Sequence, residues 1–270
     1  MFTKLLAYEI RSRYGTDARS FGAFIVTIAI ASGIVALGLP GISGSTAVLA
    51  YALCALTPLA CAIAAMADYW KTLYGQRGYF TMSLPVSGKV IFWAKNTRMV
   101  IECLLALVLA VGGIVAVASA AAWSEGMSLA EYTAGPRSLV AGIPTSTLVL
   151  MIAAQLILAM SWGVLGCAVM SIGAQGRFSH LGFGAPIIGF VLVYIVNQVL
   201  TTVGTFFVPL SITTDGHFST EIMWTSFQAT MGTDAQPDVI GLGSYILVPL
   251  FALAMGLWAS RSIEKHTSLR

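Results

Sequence analysis

Apolar positions along the chain gather into long runs instead of alternating with polar ones. Six such runs stand out, at residues 21–39, 47–66, 99–121, 146–170, 181–208 and 241–259. A hydrocarbon core about 30 Å thick needs about 20 mostly apolar residues per helix, so each run predicts one membrane span. The spans are helical because lipid offers no partner to an open strand edge. The fifth run is long enough to tilt, or to leave the bilayer at one end. Between the runs lie "PGISGST", a 32-residue segment at 67–98, a loop at 122–145, the short "SIGAQGRFSH" and a loop at 209–240. No internal repeat and no linker divides them, so one domain over 1–270 is expected: an all-α integral membrane protein of six transmembrane helices.

Composition supports a bilayer as the solvent. Hydrophobic residues make up 57%, charged residues 9%, and the mean hydropathy is +0.86, whereas a soluble domain carries about 25% charged residues. Cys54, Cys61, Cys103 and Cys167 all fall in apolar runs, match no CxxC spacing and lie far from any histidine. They read as small buried apolar side chains. The start "MFTKLLAYEIRSRYG" carries a charge every few residues, which does not fit a signal peptide.

Charge then orients the chain. With the N-terminus inside, thirteen of the 14 lysines and arginines fall on inner segments, and Arg137 alone lies outside. Such asymmetry places both termini and the 67–98 segment in the cytoplasm. The net charge of +3 reflects basic residues flanking membrane helices and gives no reason to expect nucleic acid.

The inner stretch "GYFTMSLPVSGKVIFWAKN" is too apolar for a solvent loop and too charged for a bilayer interior. Ser87 stands at an N-cap position before "GKVIFWAKNTR", a helix that runs on into the third span. Pro85 stops the preceding residues from continuing that helix and disfavours a helical Leu84. Gly75 and Gly78 loosen the exit from the second span, leaving "YFTMSL" as an aromatic and apolar knob. Three surfaces fit such a knob: lipid headgroups, the protein's own helices, or a separate cytoplasmic protein.

The run "YGQRGYFTMSLPVSGKVIFWAKN" resembles the cytoplasmic segment of six-span permease subunits of ABC-2 type ATP-binding cassette exporters, through Gly78, Tyr79, Thr81, Leu84, Pro85, Val86, Ser87 and Lys95. The basic amphipathic start and the six-span layout are similar too. Where many relatives carry an acidic residue before the Gly-Tyr, this chain has Gln76 and Arg77. The resemblance implies a coupling helix seated in a groove of an ATPase subunit, with Gly78, Tyr79, Phe80, Thr81, Leu84, Pro85 and Ser87 as the coupling residues. It also implies two cytoplasmic ATPase partners holding ATP and Mg, a second permease copy or a paralogue, and a bacterial cytoplasmic membrane. An embedded assembly or immunity factor of the same fold and an ion-coupled carrier are the alternatives.

Chemistry within the chain is sparse. The one Gly-Lys, Gly88 and Lys89, is followed by Val90 and so makes no P-loop, and no HExxH or GxSxG pattern occurs. No cofactor, metal or catalytic residue is expected in this chain, and ATP hydrolysis is assigned to a partner. His180, His217 and His266 lie outside the apolar cores. Glu102 is the acidic residue inside a predicted span, and Arg98 one turn earlier offers it an i, i+4 partner; a substrate or gating role is the sharper reading. Gln155, Asn197 and Gln198 serve either interhelical hydrogen bonds or contact with a transported molecule. Pro58 and Pro249 are expected to kink their spans, and Gly112, Ala116 and Ala120 to let helices approach.

Two amphipathic pieces complete the picture. Phe2, Leu5, Leu6 and Ile10 set against Lys4, Arg11 and Arg13 predict an inner interfacial elbow helix. Outside, Met223, Phe227 and Met231, joined by Ile222 and Trp224, predict a short helix in the outer interface. Aromatic side chains in the spans, including Phe190, Tyr194, Trp162 and Trp258, favour a hydrophobic or amphipathic cargo such as a peptide, a lipid-like molecule or a drug.

Overall fold

The computed structural model describes residues 1–75, 78–83, 85–182, 184–233 and 236–265, apart from the side chains of residues 177, 179 and 265. Leu84, Gln76, Arg77 and His266 therefore lie outside the described residues. The helices are α1 (Phe2–Ala36), α2 (Ile42–Leu73), α3 (Gly78–Met82), α4 (Gly88–Ser124), α5 (Leu129–Tyr132), α6 (Ala134–Ser138), α7 (Thr145–Gly173), α8 (Gly184–Phe207), α9 (Met223–Thr230) and α10 (Ser244–Lys265). Three short strands, β1 (Ser211–Thr213), β2 (Phe218–Ser219) and β3 (Val239–Gly241), precede α10 or lie between it and α8. Six of the helices, α1, α2, α4, α7, α8 and α10, are long and apolar enough to cross a membrane.

Several helices outrun their apolar stretches. The amphipathic start and the first apolar run form one uninterrupted α1 of 35 residues, roughly 52 Å at 1.5 Å per residue. That exceeds the ~30 Å hydrocarbon core, so part of α1 projects beyond it. Arg13, placed by its spacing on the polar face of an elbow, instead points at carboxylates of α2 and α4. The fifth run behaves differently. Its first residue ends a 3-10 turn (Gly176–Leu181), Gly182 follows at φ +56°, and the helix begins only at Gly184.

Packing divides the chain into two compact units, Met1–Tyr69 with Ala94–Val140, and Trp70–Trp93 with Ala141–Arg270. In the first, Ile28, Ala50, Cys54, Ala110 and Val117 form the buried core, with Phe24, Ala31, Ala47 and Tyr51 against it. Gly113 is what lets α4 approach, since a Cβ there would lie 2.7 Å from Cys54 Sγ. The stripe Gly112, Ala116 and Ala120 is offset by one position from this contact face: Gly112 and Ala116 are exposed, and Gly112 meets nothing within 4 Å. The capping-box signature Ser128-x-x-Glu131 starts α5 within what reads as a plain loop, and both reciprocal bonds are made.

In the second unit α7, α8 and α10 pack on one another through small residues. Gly189 faces Val169, Gly173 faces Pro186, and Gly204 meets the backbone at Gly243 and Ser244. Close backbone approach of this kind replaces the hydrophobic drive that lipid removes. Pro58 and Pro249 lie inside helices that continue through them. The 209–240 region, read from sequence as a loop with one helix, also holds an antiparallel sheet with β1 between β2 and β3. Gly216, at φ +82°, turns between β1 and β2, and its carbonyl accepts a bond from Thr147 Oγ1 at 2.9 Å. Helix α9 turns Trp224 and Phe227 onto Phe206 of α8, at ring separations of 6.1 and 5.7 Å.

Candidate functional site

The segment joining α2 to α4 is built around a short helix with two faces. At the end of α2, the Gly75 N–H donates to Trp70 O at 3.2 Å, and the Gly78 N–H to Gly75 O at 2.8 Å, closing the turn that starts α3. Thr81 is buried, and its hydroxyl donates back to Thr72 O at 2.9 Å, tethering α3 to α2. On the other side Tyr79 is 57% and Phe80 60% exposed. Gly78 is buried, whereas Pro85 and Ser87 are exposed. The Ser87 carbonyl accepts from the Val90 and Ile91 N–H groups at 2.9 and 3.2 Å, so α4 starts where its N-cap was expected.

Gly88 has a role that sequence reading passed over. A Cβ there would stand 2.9 Å from the Glu264 backbone nitrogen and 3.1 Å from Ser260 O. The beginning of α4 is thus pressed on the end of α10, which fixes where the α3 knob leaves the fold. Only the "Gly-Lys" dipeptide had singled it out.

A second feature, in the first unit, is a buried charge cluster. Arg98, 2% exposed, donates from Nη1 to Glu102 Oε1 at 2.8 Å and from Nη2 to Asp68 Oδ2 at 3.0 Å. Arg13 reaches Asp68 Oδ1 at 2.9 Å and Asp17 Oδ1 at 3.4 Å, and Lys95 Nζ reaches Glu9 Oε1 at 2.8 Å. The expected Arg98 and Glu102 pair is therefore one edge of a network joining α1, α2 and α4. From sequence, Arg13 belongs to an elbow and Lys95 to the resembling segment, while Glu9, Asp17 and Asp68 carry no expectation, although Leu5, Glu9, Arg13 and Asp17 recur every four residues and so share one face of α1. Each carboxylate in it has a cationic partner, the condition under which buried charge is tolerated.

The remaining polar candidates separate. Gln155 accepts a hydrogen bond from Tyr245 O–H at 3.1 Å, joining α7 to α10. Asn197 is buried at 4% exposure and its Oδ1 has no partner among the described residues. Gln198 is exposed, as are Phe190, Tyr194, Trp162 and Trp258. No two of Gln155, Asn197 and Gln198 are hydrogen-bonded to each other among the described residues. Cys54 and Cys167 are buried, Cys61 and Cys103 partly so, and none of the four is in a disulfide. Among the described residues no group of three or more His, Cys, Asp or Glu side chains is placed to hold a metal ion.

These groups form a protruding aromatic pair on a tethered helix and a charge clasp across three helices. Comparison of the chain with protein-family models, with curated proteins and with solved structures gives no match.

Proposed function

We propose that this chain is the permease subunit of an ATP-driven exporter of the ABC-2 type, with the α3 knob as the contact that couples it to a separate ATPase. One observation carries the reading: Tyr79 and Phe80 stand exposed on a short helix between the second and third spanning helices, while Thr81 ties the same helix to α2. Leaving each aromatic in water costs about 1.5–3 kcal/mol, which a partner's groove removes. Pro85 and Ser87 set the angle of presentation, and Gly88 anchors the start of the lever that α4 forms. Both termini lie in the cytoplasm, and the start of α1 sits at the inner interface. Two ATPase subunits bind ATP and Mg, and their closure moves the spans of two permease chains around a hydrophobic or amphipathic cargo.

The test is coexpression with an ATPase encoded by a neighbouring reading frame. Tyr79→Ala with Phe80→Ala should weaken copurification by at least about thirtyfold in affinity, the effect of losing a pair of interface anchors worth 2 kcal/mol or more. The six spans should still insert. Undiminished association and transport by the double variant would remove the knob from the mechanism.

The charge cluster favours a second reading, an ion-coupled carrier, because buried carboxylates among spanning helices are what proton coupling requires. Vesicles holding this chain alone decide between the two. Cargo movement driven by an imposed proton gradient, with no ATPase present, would establish the carrier.

A further inference from the structure

The second unit carries an apolar groove that the coupling reading leaves unused. It has a volume of about 370 Å³ and lies among the end of α7, the middle of α10 and the first half of α8. Val169 and Ile172 form one wall, Ile188 and Leu192 a second, and Phe251 and Met255 a third. Among the described residues no charged or amide side chain lines it.

Its length is informative. Along α8 the lining runs from Ala185 to Val196, roughly 16 Å at 1.5 Å per residue. One leaflet of a ~30 Å hydrocarbon core is about as deep. A groove of that depth, apolar and open between spanning helices, matches one acyl chain of one leaflet, and is too shallow for a transmembrane segment of a partner.

The mouth supplies a charge. Phe178 and Leu181 of the 3-10 turn and Trp258 of α10 frame the groove where α7 ends and α8 begins. Arg261 follows Trp258 by one helical turn, is exposed, and joins none of the ion pairs among the described residues. A tryptophan and an arginine one turn apart, where the apolar run of α10 closes, mark the headgroup level of a bilayer.

We infer that this groove holds one acyl chain of an anionic phospholipid, with the headgroup phosphate on Arg261. The lipid is a resident of the fold and fills space that α7, α8 and α10 leave between them. This inference does not depend on the exporter reading.

Photolabelling of the full chain in vesicles tests it. Two lipids with the same diazirine-bearing acyl chain are compared, one with a phosphatidylglycerol and one with a phosphatidylcholine headgroup. Labelling at groove residues such as Leu192 and Met255 should favour phosphatidylglycerol about fivefold, the effect of one arginine near the surface at about 1 kcal/mol. Labelling of the exposed α4 face at Leu105 and Val108 should show no such preference. Arg261→Gln, a surface change that leaves folding intact, should abolish the preference, and Ile188→Trp should block groove labelling by either lipid. Equal labelling by both headgroups, or groove labelling that Ile188→Trp leaves unchanged, overturns the assignment.

Discussion

The first unit and the second hold their helices together by opposite means. In the first, α1, α2 and α4 meet through a network of carboxylates and cations centred on Arg98. In the second, α7, α8 and α10 meet through glycines and a few neutral hydrogen bonds, such as Tyr245 O–H donating to Gln155 Oε1 at 3.1 Å, with Gln175, just past α7, donating from Nε2 to Ser262 Oγ at 2.8 Å. Both are answers to a solvent that gives no hydrophobic drive between helices. Charge pairs concentrate a large energy in one place, where losing one member strands the rest. Glycine contacts spread a modest energy along the helices, and each fails only by steric intrusion.

The strongest way to break the contrast is at Arg98. Arg98→Met should cost about 3–5 kcal/mol, because buried Glu102 loses its closest cationic partner and half-buried Asp68 keeps only Arg13. Denaturant unfolding of the protein in micelles measures it, and Glu102→Gln added to Arg98→Met should recover part of the loss. If Arg98→Met unfolds with the native midpoint, the network is not what holds the first unit.

Overpacking probes the second unit. Gly204→Ala places a Cβ 2.6 Å from the Ser244 backbone nitrogen, and overpacking of this kind costs about 1–3 kcal/mol. Gly112→Ala on the exposed stripe is the control and should change the same unfolding midpoint little. Gln175→Leu sharpens the comparison from the other side. Removing this one hydrogen bond between the turn after α7 and α10 should cost only about 0.6 kcal/mol, far less than one charge of the network.

The smallest effect lies outside the spans, at the exposed cap of α5. Hydrogen bonds from the Ser128 hydroxyl and backbone hold the Glu131 carboxyl below its ordinary value of 4.5. A lowered folded value means that the stabilisation is complete above the unfolded value and disappears as pH falls through the folded one. Protection of the 129–132 amides against hydrogen exchange should thus be steady from neutral pH down to about 4.5 and fall below it. Ser128→Ala should remove that dependence.

Much of this was legible in one dimension. The six apolar runs foretold six spanning helices to within a few residues at most ends, because the length of a span is set by the bilayer and its composition by the lipid. The Ser87 start of α4 and the bend at Pro85 were readable from local backbone chemistry. The 3-10 turn before α8 was hidden, since an apolar run does not reveal where Gly182 will take a positive φ. The sheet was hidden as well, because two- and three-residue strands exist only through pairing between residues 211 and 241.

The chain alone determined that it lives in a membrane, where its spans fall, and that Tyr79 and Phe80 sit beside a helix break, since each depends on neighbours in sequence. Tertiary structure alone decided that Glu9, Arg13, Asp17, Asp68, Lys95, Arg98 and Glu102 are one cluster and not scattered interfacial charges. It also decided that Gly113 packs where Gly112 was expected to. The physical reason is that a helix repeats every 3.6 residues but its rotation about its own axis is set by partners distant in sequence.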